Sequence, residues 1–559
     1  MPGLQKKWLS AALVGTLALS SLSIAAVNAQ GNGNGNGNGN GKGNANDKNA
    51  ESAKNVIMLV MDGSSDNVSS IARWYKGESL AIDKILTGGV RTYSAESAIT
   101  DSAPAGTALA TGNKSNSGYV GVLPSLVNTP GVDQVAEEDA FKPVANVLEG
   151  AKQTGRATGV ISTSEIQHAT PAAFSSHVTK RSNYDDIAEQ QVYQNIDVIL
   201  GGGSDPLNET RKDGDNLLNV IEEKDYDYVT TRDELLASDS DKIWGSFAPT
   251  ALAYDLDREK TKPEEPTLAA MTEKAIDTLS QDKDGFFLAV EGSKIDWAAH
   301  ANDPIGMVTD FLAFDDAVAE ALEFAEQDGE TLVIAVTDHG NGGITLGNVN
   351  TDSTYDTTPV SAYIDPLKEA TMTVEGALSL LKEDKSNLEE VAASYGLKNL
   401  TAEESQALET SEDLGTTLVQ LLSNRANIGF TTGGHTGDDV FLYSYGPAHP
   451  TGLVDNTDLA HTMASAMGFN LDDLSNEFFV DAQAEFEKLG YTTTIDKTDE
   501  NNPVFVATNN NRTITIPENR NTVTIQNGNS AGNTREFDTV TVYNDNKFFI
   551  SDEMLKFAK

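Results

Sequence analysis

Three apolar runs in this 559-residue chain each deliver a carboxylate at their end. Lys54-Asn55-Val56-Ile57-Met58-Leu59-Val60-Met61 leads to Asp62, Phe286-Phe287-Leu288-Ala289-Val290 to Glu291, and Thr331-Leu332-Val333-Ile334-Ala335-Val336-Thr337 to Asp338. A short apolar run without a polar face reads as a strand buried on both sides of a parallel sheet. Arg156 to Ile161, Asp197 to Leu200 (which runs into Gly201-Gly202-Gly203) and Val440 to Tyr445 read the same way. Between them lie helical patterns over Leu268 to Leu279 and over Met307 to Phe324, the latter with Phe311, Phe314, Val318 and Leu322 on one stripe. Alternating strands and helices predict an α/β three-layer sandwich around a central, mostly parallel sheet. Ligands of such sheets bind beyond the carboxyl ends of the strands, where Asp62, Glu291 and Asp338 all fall.

The flanking segments differ in character. Lys6 and Lys7 precede a mostly apolar stretch from Trp8 to Val27, and Val27-Asn28-Ala29 has the small residues of a cleavage site, so residues 1–29 read as an export signal. Residues 30–54, with a strict Gly-Asn alternation from Gly31 to Asn40, read as a flexible linker that buries no core. The catalytic region is expected over 55–468, with a helical insertion at about 348–425 that includes helices near Thr373 to Glu383 and Glu403 to Leu422. Residues 469–559 read as a small β appendage, with strands near Tyr491 to Ile495, Thr513 to Ile516, Thr522 to Ile525 and Phe537 to Tyr543 between Asn-rich turns. No later segment approaches the roughly 20 apolar residues of a membrane span. An exported protein, periplasmic, extracellular or loosely attached to the cell surface, is expected.

The formal charge of −45 argues against binding to nucleic acid or anionic membranes and suits high ionic strength. The absence of cysteine excludes disulfides and a thiol nucleophile. An anionic substrate would then need metals and an arginine to hold it against the surrounding charge.

Four further clusters carry chemistry. Thr100-Asp101-Ser102-Ala103-Pro104 places a hydroxyl where a helix can begin, since Pro104 is tolerated in a first turn. Alone, Asp101 or Ser102 would read as a helix cap. Near a divalent metal, Ser102 becomes a nucleophile whose alkoxide is stabilised. Asp296 and His300 stand one helical turn apart after Glu291, and Asp338-His339 closes another strand. His435 sits in the glycine-flanked Thr432-Gly433-Gly434-His435-Thr436-Gly437. Carboxylate oxygen with imidazole nitrogen suits zinc, and Glu291 with the Thr170 hydroxyl suits a harder ion. His168 could ligate directly or through water, and Arg181 is suited to bidentate pairing with phosphoryl oxygens.

From about Asn55 to Met467, outside much of the insertion, these ordered motifs resemble the alkaline phosphatase family. The resemblance implies hydrolysis of phosphate monoesters through a phosphoserine on Ser102, with Arg181 on the phosphate and Asp101 orienting it. It implies two zinc ions, one on Asp296, His300 and His435 and one on Asp62, Asp338 and His339, and one magnesium ion on Asp62, Thr170 and Glu291. His168 stands where a carboxylate is familiar and Trp297 where lysine is familiar, while Pro104 and Gly106 replace the usual residues behind the nucleophile. A homodimer is open on this reading. A sulfatase is disfavoured because no arginine follows Ser102 in Ala103-Pro104-Ala105-Gly106. A phosphodiesterase of the same superfamily, and an acidic metal-binding surface protein without turnover, are the alternatives.

Overall fold

A computed structural model describes residues 52–208, 211–528 and 530–559. The export signal and most of the linker fall on residues 1–51, outside the described residues. The central sheet comprises β1 (Asn55–Val60), β2 (Leu86–Arg91), β3 (Ala157–Glu165), β4 (Val198–Gly202), β5 (Asp227–Val229), β6 (Ile243–Ser246), β7 (Phe286–Glu291), β8 (Thr331–Val336), β9 (Val440–Tyr445) and β10 (Gly452–Asp455). The helices that matter most for the site are α1 (Ser102–Thr111), α2 (Ala169–Ala173), α3 (Leu268–Leu279), α4 (Lys294–His300), α5 (Pro304–Asp328) and α6 (Asn456–Met467).

The ten strands lie in the order β10-β2-β9-β8-β1-β7-β3-β4-β6-β5. All neighbours are parallel except at β9, which runs antiparallel to both β2 and β8. The apolar runs without a polar face are buried along their whole length in β1, β7 and β8. Side chains alternate across the pleat, so each run feeds two cores. Ile57 and Leu59 join one core with Met271 of α3 and Phe311 and Phe314 of α5. Val56, Met58 and Val60 join the other with Ala103 and Leu109 of α1 and Leu459 and Met463 of α6. This is the three-layer sandwich.

Register then sets the site. Val60 of β1 lies beside Glu291 of β7 and Val336 of β8, so Asp62, Glu291 and Asp338 emerge together at one edge. Three carboxylates widely separated in sequence thereby become neighbours.

Several elements differ from expectation for local reasons. The stretch from Glu403 to Leu422 is two helices, Ala402–Glu409 and Leu414–Arg425. Each has its own N-cap, Thr401 in a capping box with Glu404 and Asp413 accepting from the Thr416 N–H. The helix near Thr373 is shorter than expected, at Val374–Ser379. The C-terminal region forms a five-stranded antiparallel sheet, Thr492–Asp496, Val504–Asn509, Arg512–Pro517, Thr522–Asn527 and Asn533–Glu536. Of Phe537 to Tyr543 only Val542 and Tyr543 join a strand, Val542–Asn544. Phe537 and Thr541 are instead pinned by hydrogen bonds to Asn521 and Arg520. Arg520 also ties this region to the body through Glu189 (2.8 Å) and Asp215. Short glycine-bearing strands escaped the sequence pattern. In β2 a Cβ at Gly88 would stand 1.9 Å from the Gly452 carbonyl oxygen, so only glycine admits β10 alongside. No described helix is long and apolar enough to cross a membrane.

Phe314 is fully buried, with its ring against Gly292, the residue that follows Glu291. Phe314→Ala should lower the unfolding free energy by about 3–5 kcal/mol, since it opens a cavity beneath the site. Urea denaturation followed by circular dichroism checks this, and a loss below about 1 kcal/mol would show that this layer is not tightly packed.

Candidate active site

Ser102 is the first residue of α1 and is almost wholly buried. Asp101 precedes it in extended conformation at the N-cap position but makes no side-chain cap hydrogen bond. Its carboxylate turns outward instead, accepting from Arg181 Nη1 at 2.5 Å and from the Gly118 N–H at 3.2 Å. The first turn of α1 is therefore free to face an anion. Ser102 Oγ lies 3.2 Å from His339 Nε2, which connects the helix to the carboxyl edge of the sheet.

Three sets of carboxylates and imidazoles converge there. In the first, His300 Nδ1 contacts the Gly433 carbonyl at 3.0 Å and His435 Nδ1 contacts the Thr100 carbonyl at 2.8 Å. A carbonyl only accepts, so in each ring Nδ1 carries a hydrogen, which leaves Nε2 as the atom able to offer a lone pair. Those two Nε2 atoms lie 3.2 Å apart, with Asp296 carboxylate oxygens 3.4 Å from His300 and 3.7 Å from His435. In the second, His339 Nε2 lies 3.6 Å from Asp62 and 3.3 Å from Asp338. In the third, single donor atoms of Asp62, His168 and Glu291 lie within 4.8 Å of one another.

Polar atoms in these sets are left without hydrogen bonds. Both carboxylate oxygens of Asp62, Asp338 Oδ2, Glu291 Oε1 and Thr170 Oγ1 are buried and unpartnered. A buried polar atom without a partner is costly, and a cluster of such acceptors is stable only around positive charge. The nitrogen and carboxylate donors of the first two sets match zinc chemistry, and the all-oxygen part of the third matches a harder ion. The residues present fit divalent metals.

Electrostatics agree. Burial, reinforced by Asp338, Asp296 and Glu291, holds the Asp62 carboxyl well above the usual carboxylate range. Burial pushes Asp338 up to about 6, with Asp296 adding to it against the Gly63 N–H. Glu291 is pushed up to about 7 by burial and Asp338, partly offset by the Ser162 hydroxyl. Burial, then the neighbouring His435, brings His339 down to about 3. Asp101 goes the other way. Burial works to raise it, but Arg181 and the Gly118 N–H outweigh that and hold it below its ordinary value.

Arg181 spans two partners, Asp101 through Nη1 and His168 Nε2 through Nη2 at 2.9 Å. His168 can accept only as a neutral ring, and burial together with Arg181 brings its pKa down to about 3. Its imidazole meets the Trp297 ring edge-on at 6.0 Å. All twelve residues singled out in the sequence thus lie in one linked region.

Sequence reasoning missed the residues that aim these groups. Asn341 donates to Asp296 Oδ1 at 2.7 Å. Ser162 and Ser164 hold Glu291 Oε2. The Gly63 N–H donates to Asp338 Oδ1 at 3.1 Å. Gly63 has φ of +67°, and a Cβ there would stand 2.4 Å from Asp296 Oδ1, so glycine is required where the first two sets meet. The Gly after Asp62 and the Asn after His339-Gly340 were visible signals; the serines of β3 were not, because hydroxyls on a buried strand have no pattern of their own.

Residues 53–469 match the family model described as alkaline phosphatase. Alkaline phosphatase 3 of Bacillus subtilis is 35% identical over 492 residues, covering 83% of this chain and 98% of that protein. The crystal structure of Thermus thermophilus alkaline phosphatase aligns with TM-score 0.66 at 29% identity, over 75% of this chain and 92% of that one. A mutant of the alkaline phosphatase from the Antarctic bacterium TAB5, with Mg bound in its M3 site, aligns with TM-score 0.55 at 26% identity, over 75% and 99%. With the fold, the convergent acceptors and these matches in agreement, the chain belongs to the alkaline phosphatase family of phosphoric monoester hydrolases.

Proposed function

We propose that this enzyme hydrolyses phosphate monoesters to an alcohol and inorganic phosphate through a phosphoserine on Ser102, at a centre of two zinc ions and one magnesium ion. The observation that carries the reading is Ser102 Oγ, buried at the head of α1 and 3.2 Å from His339 in the second acceptor set. Asp296, His300 and His435 would hold one zinc, Asp62, Asp338 and His339 the other, and Asp62, Thr170 and Glu291 the magnesium. His168 Nε2 accepts from Arg181, so its Nδ1 carries the hydrogen, and the ring would serve the magnesium through water rather than directly. A mutant of the TAB5 relative, with a histidine replaced by glutamate, has Mg bound in its M3 site, which supports a third site here. What these ions supply when bound is Lewis acidity toward the oxygens that gain charge.

The protein groups do the positioning. Arg181 is held by Asp101 and His168 and presents its guanidinium to two phosphoryl oxygens. Ser102 Oγ forms a bond to phosphorus as the bond to the alcohol oxygen breaks, and the alcohol leaves with a proton. The N-terminal turn of α1 stabilises negative charge on the serine and its phosphate. Water then attacks the phosphoserine, and phosphate leaves as Ser102 regains its proton. The enzyme acts outside the cytoplasm on this proposal, carried there by the signal read in residues 1–29.

Ser102→Ala should lower kcat on p-nitrophenyl phosphate by roughly a thousandfold or more while circular dichroism and metal content stay unchanged. Mass spectrometry of acid-quenched wild type should show phosphate on Ser102. Near-normal turnover in the variant would rule out the covalent route, and preference for a diester would redirect the assignment to a phosphodiesterase.

Chelation should abolish turnover, and it should also change how stability depends on pH. Glu291 and Asp338 have raised pKa values in the fold, near 7 and 6. Their contribution to stability is complete at low pH and is lost as pH rises through those values. Metal-depleted protein should therefore lose more melting temperature between pH 5.5 and pH 8 than metal-loaded protein, and Glu291→Gln should remove part of that excess. Equal losses with and without metal would contradict the assignment of these carboxylates.

A further inference from the structure

Lys294 begins α4, two residues before Asp296, and is 3% exposed. Among the described residues its ammonium has neither a hydrogen bond nor an ion pair. It sits instead against two rings, 4.3 Å from the Tyr254 centroid and 4.1 Å from that of Trp297. Glu375, Asp310, Glu165 and Glu265 surround it with negative field without contact. Beside it is a cavity of about 320 Å³ lined by Tyr254, Glu265, Lys294, Trp297, Glu375 and Ser379, so the insertion helix Val374–Ser379 helps to cover it. Withdrawing an ammonium from most of its water without a protein hydrogen bond is costly, and a cation over an indole face recovers only part of that cost. A site that served packing alone would be better filled by a methionine.

The contacts of Trp297 indicate a role. Its ring is fixed by Lys294 and meets the His168 imidazole edge-on, and His168 Nε2 receives Arg181 Nη2. Lys294, Trp297, His168 and Arg181 form one continuous line of contacts. We propose that Lys294 is a positioning residue for phosphate recognition: its ammonium locks the Trp297 indole, the indole sets the His168 ring, and that ring fixes the plane of the Arg181 guanidinium. A cation is thus supplied behind residue 297 and acts through its aromatic ring. The inference rests on Arg181 being the phosphate clamp.

The test is competitive inhibition by inorganic phosphate, with KM and kcat for p-nitrophenyl phosphate, in metal-loaded wild type, Lys294→Met, Lys294→Arg, Trp297→Leu, the Lys294→Met/Trp297→Leu double variant and Arg181→Ala. Lys294→Met should raise the phosphate Ki and KM about tenfold with a smaller change in kcat, at unchanged or higher melting temperature. Lys294→Arg should restore most of the affinity. Trp297→Leu should match Lys294→Met, and the double variant should be no worse than either, because both cut the same line of contacts. If Lys294→Met does not fold, the rescue by Lys294→Arg and the effect of Tyr254→Leu, which removes the other ring, decide the question. Phosphate Ki within twofold of wild type in folded Lys294→Met, or additive losses in the double variant, would overturn the proposal. Arg181→Ala separates the two levels. A raised Ki there with none in Lys294→Met removes only the positioning role, whereas an unchanged Ki in Arg181→Ala removes the clamp itself and this inference with it.

Discussion

Mutual repulsion among acceptors at the carboxyl edge of the sheet, the carboxylates buried and His300 open to solvent, is the constraint on which the rest of the structure depends. In-register parallel strands β1, β7 and β8 bring Asp62, Glu291 and Asp338 together, and α4 and the His435 loop add Asp296, His300 and His435. Among the described residues no lysine or arginine pairs with the carboxylates of these sets; Arg181 pairs with Asp101 and reaches only His168 of the third set. The arrangement is costly alone and favourable around divalent cations, so the centre stores in the fold the selectivity for what it binds. The −45 charge sharpens this: on the proposed function, an anionic substrate approaches a net-negative molecule and depends on metals and Arg181 at the site to hold it.

Much of this was legible in the sequence because it depends on local rules. Strands buried on both faces read as uninterrupted apolar runs, and the residue after such a run must lie at the sheet edge. That is why Asp62, Glu291 and Asp338 could be grouped before any geometry was known. Asp296 and His300 share a helix face at four-residue spacing in α4. Ser102 was marked by its small neighbours and Pro104, and the structure places it at the head of α1.

What escaped was set by tertiary contact. β2 and β10 pair only because Gly88 admits the Gly452 backbone, a steric fact with no periodicity. Glu403 to Leu422 reads as one helical stretch, yet two separate caps divide it. Phe537 to Tyr543 has strand-like composition, but hydrogen bonds exchanged with Asn521 and donated to the Arg520 carbonyl hold most of it out of a ladder. Asp101 has the composition of a helix cap and is instead drawn to Arg181, a partner eighty residues away in sequence. Lys294 carries no signal of its own in the sequence and is buried between Tyr254 and Trp297.

The most direct measurement is anomalous X-ray diffraction at the zinc edge from crystals of the metal-loaded protein. Two zinc peaks should appear, one among Asp296, His300 and His435 and one among Asp62, Asp338 and His339, with a lighter ion bounded by Asp62, Thr170 and Glu291. Absence of anomalous density at both sets, with the carboxylates instead paired through shared protons, would contradict the claim that this edge of the sheet is built around metal ions.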